Sequence, residues 1–573
     1  MGAVVFCGCA SLKPARSGTD HTEGATIVTV VSLADFHGAL EPLALTTAGG
    51  DTIEVGGAGL ISAYVSRIRE VAPGPVVLVD GGDMWQGTLV SNLREGAPVV
   101  RFYNELGVAA AALGNHEFDF GPDGTDRTMP ISPDDDPRGA LKARVAEADF
   151  ALLGVNVRLE DDGSVPEWAA KSVVLDEKGL RIGIIGGATV QTPVTTIVAN
   201  VAGLDFLPLP GPVEEEALRL REDGVDVLIV AVHAGGGCED NSDPDDLSTC
   251  ENGELFDLVR ALPEGLVDVF TGGHSHKGIA KRKQGAAVMQ PYARGRYLTW
   301  AEVDAGGTRE TKVHGPVRLC GAVVEGPNGP NCYPLHVRRS EESPRPATFL
   351  GAEIVSDKEM MALLEDDFDR AERLKRRPLN IDAKREIGRS YDSESPLGNL
   401  VADVLLESVD GADAAFVNGG GLRASLPEGS LTYGHVFEAL PFDNWVAIME
   451  VDGETLRRIV QHGHSGGHSA LSWSGLSFHA SGCSVEVIKV GGVKLDESAR
   501  YKLVTNSYLA GGGSGFGRLD LDIDEESVRM AWDLPLLRDV VAQSLESRGG
   551  ALRPEDFYSP DSPRQNIEGF CDD

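Results

Sequence analysis

The chain has 573 residues, more than one ordinary hydrophobic core accommodates, so two large domains are expected. Hydrophobic residues make up 42% and charged residues 24%, as in soluble globular proteins. A formal net charge of −37 argues against polymeric nucleic acid and anionic membrane surfaces as partners, because displacing their counterions needs clustered Lys and Arg.

The first eleven residues, Met1 to Ser11, are short, apolar and small, without a basic n-region. Gly8 before Cys9 is similar to the end of a bacterial lipoprotein signal, which makes Cys9 the candidate lipidated residue. Residues 1–25 are therefore read as an exported or lipoprotein-like segment. The protein is expected to be exported, periplasmic or at the cell surface, with membrane contact only through that anchor. No stretch reaches the roughly 18 apolar residues of a transmembrane helix. Of the eight cysteines, Cys238 and Cys250 flank one polar loop and Cys320 and Cys332 another, with Cys483 and Cys571 left over. Local pairs of this kind suggest disulfides and an oxidising compartment, with connectivity open. No Cys-x-x-Cys pair points to zinc.

From Thr26 the pattern becomes strand, loop, helix. The apolar runs 27–31, 76–79, 109–113, 182–185, 227–232 and 267–270 suit central strands of an α/β domain, covered on both faces. Most end in a polar or Gly-rich exit that carries chemistry: Asp35 and His37, Asp83, Asn115 and His116, His233, then His274 and His276. The carboxyl ends of such strands are where open α/β sheets usually bind ligands. Residues 121–145 form a polar insert, and 322–347 read as a boundary rich in Gly, Pro, Arg and Glu. Residues 356–376 read as one linker helix, capped by Ser356 with Glu359 three residues on. Beyond Pro378 a second domain is expected, with a helix over 397–407, a strand over 414–417, a turn at 418–421 and a helix near 453–461.

The ordered set Asp35, His37, Asp83, Asn115, His233, His274 and His276 can hold two divalent metals around a bridging carboxylate. Asp83 is the expected bridge, since Gly81-Gly82 lets the backbone turn sharply; Asp80 competes. Asp35, His37 and His276 complete the first metal; Asn115, His233 and His274 complete the second. Mixed oxygen and nitrogen donors allow zinc, manganese, iron or cobalt. His116 follows Asn115 directly and is expected to face elsewhere, its ring held by Asp119, so that its free nitrogen serves as a general acid or electrostatic aid. Such a site suits phosphate-ester hydrolysis.

At these residues the chain resembles the calcineurin-like metallophosphoesterases, and in particular the two-domain 5′-nucleotidase and UDP-sugar hydrolase family. The motifs are Asp35-x-His37, Gly-Gly-Asp83, Gly-Asn-His-Glu-Phe-Asp119, His233 and Gly-His274-Ser-His276. The second half continues the likeness in Ser395-Pro-Leu-Gly-Asn-Leu400, Asn418-Gly-Gly-Gly-Leu-Arg423, Leu440-Pro-Phe442 and Gly511-Gly-Gly-Ser-Gly-Phe516. The resemblance implies an α/β fold with a four-layer α/β-β/α metallophosphoesterase sandwich over 26–345, a helical linker over 346–377, and a smaller α/β (α+β) substrate-binding domain over 378–573. It implies that Phe442 and Phe516 sandwich a nucleobase, Arg423 contacts phosphate, Asn418 lies near the base and Asp522 binds ribose. One departure stands out. Family members usually carry arginines just before the Ser-x-Leu-Gly-Asn segment, whereas Arg389-Ser-Tyr-Asp-Ser-Glu394 stands here. Tyr391 or Asp392 occupies the expected arginine position, Arg389 could shift in, and Glu394 would repel a second phosphate unless it binds ribose hydroxyls.

The expected activity is 5′-nucleotidase-like: in-line attack by a hydroxide held between two divalent metals on a small-molecule nucleotide substrate. The alternatives are a 2′,3′-cyclic nucleotide phosphodiesterase, a UDP-sugar hydrolase or a related ester hydrolase, including sulfur-ester relatives. A catalytically inactive nucleotide-binding protein is the remote alternative.

Overall fold

The computed structural model describes residues 27–124, 128–130, 132, 134–306, 309–464, 469–516, 527–532 and 534–568. Cys9, Asp522 and Cys571 lie outside the described residues.

The β-branched runs of the first half form the centres of two six-stranded sheets. One has the order Thr311–Arg318, Tyr297–Asp304, Ile27–Leu33, Val76–Asp80, Val108–Ala112, Ala151–Leu153. The other has the order Gly278–Lys283, Ala286–Pro291, Val269–Thr271, Val227–His233, Leu180–Ala188, Ser172–Glu177. Inner strands pair in parallel, Ile27–Leu33 with Val76–Asp80 and Val227–His233 with both Leu180–Ala188 and Val269–Thr271. Their inner faces (Val28, Val30, Val77 and Val79 against Ile182, Ile184, Val227 and Ile229) share one dry core. The Ser32 and Thr271 hydroxyls bond across the two sheets. Helices Ala58–Val71 and Ala97–Leu106 cover the outside of the first sheet, and Pro210–Glu222 and Glu254–Ala261 that of the second. The result is the α/β-β/α four-layer sandwich. Continuous Val/Ile runs fit it because each central strand is covered on both faces.

The segment 322–347 is folded against this unit. It holds helix Pro334–Arg339, and Cys332 and Val337 pack on Leu45, Ile53 and Val55. Disulfides join Cys238 to Cys250 and Cys320 to Cys332, and Cys483 is also disulfide-bonded. The expected single linker helix is two, Lys358–Leu363 and Glu365–Lys375. Its cap is Asp357, whose carboxylate accepts the Glu359 and Met360 N–H groups, not Ser356. Asp367 in the second helix pairs with Arg94 and Arg101 of the first half.

The second half is built on a mixed five-stranded sheet, in the order Leu471–Ser474, Ala414–Asn418, Arg500–Asn506, Val446–Asp452, Val528–Met530. Helix Pro396–Ser408, with Pro396 in its first turn and the Ser395 hydroxyl accepting the Gly398 N–H, packs beside it. The loop after Leu440 reaches the first half: the Pro441 carbonyl accepts from Asn92 Nδ2 at 3.2 Å, and Thr128 Oγ1 donates to the Asp443 carbonyl at 2.7 Å. Tyr508 Oη donates to the Val194 carbonyl at 3.1 Å. Among the described residues no helix is long and apolar enough to cross a membrane.

Candidate metal centre

Each expected ligand sits just beyond the carboxyl end of a central strand or at its last residue, and all meet in the crevice between the two sheets. The chain reaches this geometry at a conformational cost. Asp35, His37, Asp83, His274 and His276 have φ of 48°, 49°, 59°, 74° and 56°, the left-handed region that residues with a Cβ avoid. Such positions cost on the order of 1–3 kcal/mol each and persist only where the surroundings enforce them. The enforcement is visible. Asp35 N–H donates to the Gly82 carbonyl and His37 N–H to that of Asp83, both at 2.9 Å, which staples the first two ligand loops together. A Cβ on Gly114 would lie 2.2 Å from Asp83 Oδ1, and one on Gly82 2.8 Å from His233 Nδ1. Only glycine lets these loops close on the ligands.

Two groups of ligand atoms result. Asp35, His37 and His276 form one, and Asp83, His233 and His274 the other, the atoms of each lying within 4.8 Å of one another. Asn115 Oδ1 stands 3.1 Å from both His233 Nε2 and His274 Nδ1, joining the second group. Asp83 lies between the groups: its Oδ2 is 3.1 Å from His233 Nε2 and 3.8 Å from His37 Nε2. Asp80 is turned away from both, bound to Tyr103 Oη and the Gly82 N–H at 2.7 Å each.

The donor set fits divalent cations. His37 Nδ1 faces the Gln86 carbonyl at 2.9 Å and His233 Nδ1 the Gly81 carbonyl at 2.8 Å. A carbonyl only accepts, so these nitrogens carry the hydrogens and the neutral rings turn their Nε2 lone pairs inward. His37 Nε2 then meets His276 Nε2 at 2.9 Å, and the buried Asp35 Oδ2 has no hydrogen-bond partner. Converging lone pairs and an unsatisfied carboxylate oxygen are balanced by a cation. The protonation preferences agree. Burial, reinforced by neighbouring imidazoles, pushes His274 down to about 3, and burial also pushes His276 down to about 4. Burial opposes charge on His233 as well, but Asp83 and the other acids around it push its pKa up to about 10. A divalent cation held there would take the place of that proton between imidazole and carboxylate.

Glu117 escaped the sequence reading, although it stands inside the Gly-Asn-His-Glu segment. It is buried, and its carboxylate accepts the N–H groups of Asp83, Met84 and Gly114 at 2.9, 2.7 and 2.7 Å. It thus ties the Asp83 loop to the Asn115 loop. A carboxylate three residues after Gly114 at the mouth of a buried strand was the available signal.

His116 belongs to neither ligand group, although its ring lies edge-on to that of His37 with centroids 5.3 Å apart. Its backbone N–H donates to Asp83 Oδ1 at 2.9 Å, and its ring Nδ1 is 2.6 Å from Asp119 Oδ2. Thr196 Oγ1 donates to the other Asp119 oxygen at 2.8 Å, a partner the sequence did not suggest. Burial disfavours charge on His116, but Asp119 and Asp83 outweigh it and push its pKa up to about 9.

The ligands face a cleft of about 710 Å³ shared with the second half, where Asn418, Arg423, Phe442 and Tyr508 complete the wall beside His116, Asp119, His274 and His276. The Phe442 ring stacks on His116 with centroids 5.8 Å apart, and Arg423 lies over the same ring at 5.8 Å. Phe516 is elsewhere: it is buried in the core of the second half, stacked on Phe416 at 6.0 Å and edge-on to His462 at 4.9 Å. The aromatic that reaches the cleft from this region is Tyr508, whose Oη accepts the Ser514 N–H at 3.0 Å. Glu394 points away, its carboxylate accepting from Asn399 Nδ2 at 2.6 Å and from the Arg564 and Gln565 N–H groups.

The arrangement is a two-sheet α/β-β/α sandwich with two groups of candidate metal ligands at its crevice, facing a second α/β unit. Residues 374–520 match the family model for the 5′-nucleotidase C-terminal domain. The chain is 24% identical over 483 residues to Protein UshA of Yersinia enterocolitica, covering 78% of this chain and 80% of that one. It is also 24% identical over 491 residues to endonuclease YhcR of Bacillus subtilis, covering 84% of this chain and spanning 37% of that longer protein. Among solved structures, the 5′-nucleotidase precursor of Thermus thermophilus superposes with a TM-score of 0.69 at 24% identity, over 95% of this chain and 99% of that one. The chain is thus similar, along most of its length, to the 5′-nucleotidase and UshA proteins.

Proposed function

We propose that the protein is a dimetal-dependent phosphoesterase acting on nucleotides in the manner of a 5′-nucleotidase. The observation that carries this reading is the pair of ligand groups that meet at Asp83, beside a cleft whose far wall belongs to the second half. Asp35, His37 and His276 would hold one ion, Asn115, His233 and His274 the other, and Asp83 both. Such ions supply an activated water and Lewis acidity toward phosphoryl oxygens; zinc, manganese, iron and cobalt all suit the donors. The likeness to the 5′-nucleotidases and UshA supports nucleotides as the substrate class.

The chain's own residues do the rest. Asp119, oriented by Thr196, holds His116 by Nδ1 and favours its charged form. The remaining Nε2–H then faces the cleft, where it stabilises charge on the phosphoryl group and delivers a proton to the leaving oxygen. Arg423 binds the phosphate, Phe442 offers a flat face to the base, and Asn418 lies at the base end of the cleft. Tyr508 is better placed than Phe516 to be the second aromatic wall, and Asp522 is kept as the ribose-binding acid on the strength of the family resemblance. We place the catalytic domain at 26–345, the linker at 346–377 and the substrate domain at 378–573. The disulfides support export to an oxidising compartment, and Cys9 is the proposed lipid-anchor residue.

The test is phosphate release by the metal-loaded protein from AMP, UMP, UDP-glucose, 2′,3′-cyclic AMP and bis-p-nitrophenyl phosphate, before and after chelation. Chelator-sensitive release from AMP supports the reading. Release confined to the diesters replaces it with a phosphodiesterase, and silence across the panel with metal bound refutes it.

A further inference from the structure

Strand Leu180–Ala188 runs into the segment Thr189-Val-Gln-Thr-Pro-Val-Thr-Thr196, which contributes none of the candidate ligands. Its own hydroxyls hold it in one shape. Thr189 is fully buried; its Oγ1 donates to Glu254 Oε2 at 2.6 Å and accepts the Gln191 N–H at 3.1 Å. Thr192 Oγ1 donates to the Thr189 carbonyl at 2.8 Å, and Thr195 Oγ1 to the Gln191 carbonyl at 3.0 Å. Short hydroxyl side chains suit such local bonds to the backbone. Glu254, the first residue of helix Glu254–Ala261, is the anchor of the whole segment.

Fixed in this way, the segment touches three functional side chains and the second half. The Thr195 carbonyl stands 3.3 Å from Asn115 Nδ2. A carbonyl only accepts, so it takes the amide NH2 and leaves Asn115 Oδ1 turned toward His233 and His274, the orientation a ligand needs. Gln191 Oε1 stands 3.4 Å from His274 Nε2. Accepting a hydrogen there leaves the Nδ1 lone pair of His274 facing its ligand group. Thr196 Oγ1 donates to Asp119 Oδ1 at 2.8 Å, while the other oxygen of that carboxylate holds His116. From the second half, Tyr508 Oη donates to the Val194 carbonyl at 3.1 Å. Gln191, Val194, Thr195 and Thr196 line the cleft, and Thr189 is not part of its wall.

We propose that segment 189–196 is a single positioning element for both parts of the site. Gln191 and the Thr195 carbonyl orient His274 and Asn115 toward the second metal, and Thr196 orients Asp119 and through it His116. Thr189, bonded to Glu254, sets both from behind. The proposal rests on the phosphoesterase reading for the metal and the proton transfer that these residues serve.

The experiment uses the full-length protein and Gln191→Ala, Gln191→Glu, Thr196→Val and Thr189→Val. It measures the Kd of each of two zinc ions by competition with a chelator, the melting temperature, and kcat for AMP and for p-nitrophenyl phosphate, whose leaving group departs without a proton. Gln191→Ala should weaken one zinc ion about tenfold, the low end of the loss of an outer partner of a ligand, with the other ion and the melting temperature unchanged. Gln191→Glu, which can only accept from His274, should restore the affinity. Thr196→Val should leave both zinc affinities unchanged and lower kcat for AMP about tenfold, the scale of a hydrogen bond lost from a charged group, with a markedly smaller fall for p-nitrophenyl phosphate. Thr189→Val should weaken zinc and lower kcat for AMP together, although it lies outside the cleft. Unchanged zinc affinity in Gln191→Ala, or a loss that Gln191→Glu does not recover, overturns the proposal. So does an equal fall for both substrates in Thr196→Val, or a folded Thr189→Val protein in which neither readout moves. If Thr189→Val does not fold, the Gln191 and Thr196 variants decide. If the wild-type protein binds zinc but releases phosphate from neither substrate, the phosphoesterase reading fails by itself, and the zinc affinities of the Gln191 and Thr189 variants still decide whether the segment positions the ligands.

Discussion

The two walls of the cleft are built on opposite principles. On the metal side every functional side chain is fixed by more than one constraint. His233 is fully buried and bonded to the Gly81 carbonyl, and Asp83 is held by its own backbone N–H on Glu117 and by the His116 N–H on its carboxylate. On the substrate side the contacts are stacking and charge: Phe442 rests on His116, and Arg423 rests on Phe442. A metal centre demands ligand positions within a few tenths of an ångström, so the fold spends backbone strain to secure them. A substrate wall needs shape and a face, and tolerates a looser hold.

That contrast predicts a steep gradient of mutational effects. Asp83→Ala removes the carboxylate between the two ligand groups, and the two metals should be lost together. We expect activity to fall on the order of 10³-fold or more, beyond the roughly 10–100-fold cost of losing an outer partner of a ligand. Elemental analysis should show metal content well below that of the wild type. Retention of two metals by a folded Asp83→Ala protein would break the assignment of Asp83 as the bridge.

His116→Asn should separate chemistry from metal binding. The backbone N–H that reaches Asp83 survives, so metal content should stay near the wild-type level while kcat falls roughly 10²–10⁴-fold. Asp119→Asn should give a smaller fall in the same direction, since the ring loses the charge that favours its protonated form. Glu117→Gln comes next. It replaces a carboxylate oxygen by an NH2 group facing backbone donors, and we expect metal affinity to weaken about 10–100-fold with the fold intact, as measured by competition with a chelator.

The same contrast decides how much was legible in the sequence. The central strands and the meeting of the seven candidate ligands could be read because each candidate follows an apolar run that fills both faces of a sheet. The carboxyl end of such a strand leaves few other places for a polar residue to go. Asp83 was preferred to Asp80 on the flexibility of Gly81-Gly82, and the structure turns Asp80 onto Tyr103. Glu117 was passed over although it stands three residues after Gly114, because two of the three backbone N–H groups it holds, those of Asp83 and Met84, lie far away in sequence. The linker was misread at its cap and its break: Asp357 outcompetes Ser356, and the helix is interrupted at Leu364, which is buried. The substrate wall was legible only through family resemblance.

Phe442 and Phe516 sharpen the comparison further, because the resemblance assigns them one role and the structure gives them different surroundings. Phe442 is half-buried at the cleft, and Phe516 is 5% exposed among Phe416, Trp473 and Leu509. Phe442→Ala should therefore act on binding: a lost base–aromatic stack is worth about 1–3 kcal/mol, so KM for AMP should rise about tenfold with little change in melting temperature. Phe516→Ala should act on stability. Emptying a packed aromatic site costs about 3–5 kcal/mol, which should appear as a lower melting temperature of the second half, with a smaller change in KM. A large KM effect at unchanged stability for Phe516→Ala would mean that this ring leaves the core to meet the base. The substrate wall would then be assembled by the nucleotide itself, in contrast to the metal wall opposite, whose ligands the fold already holds in place.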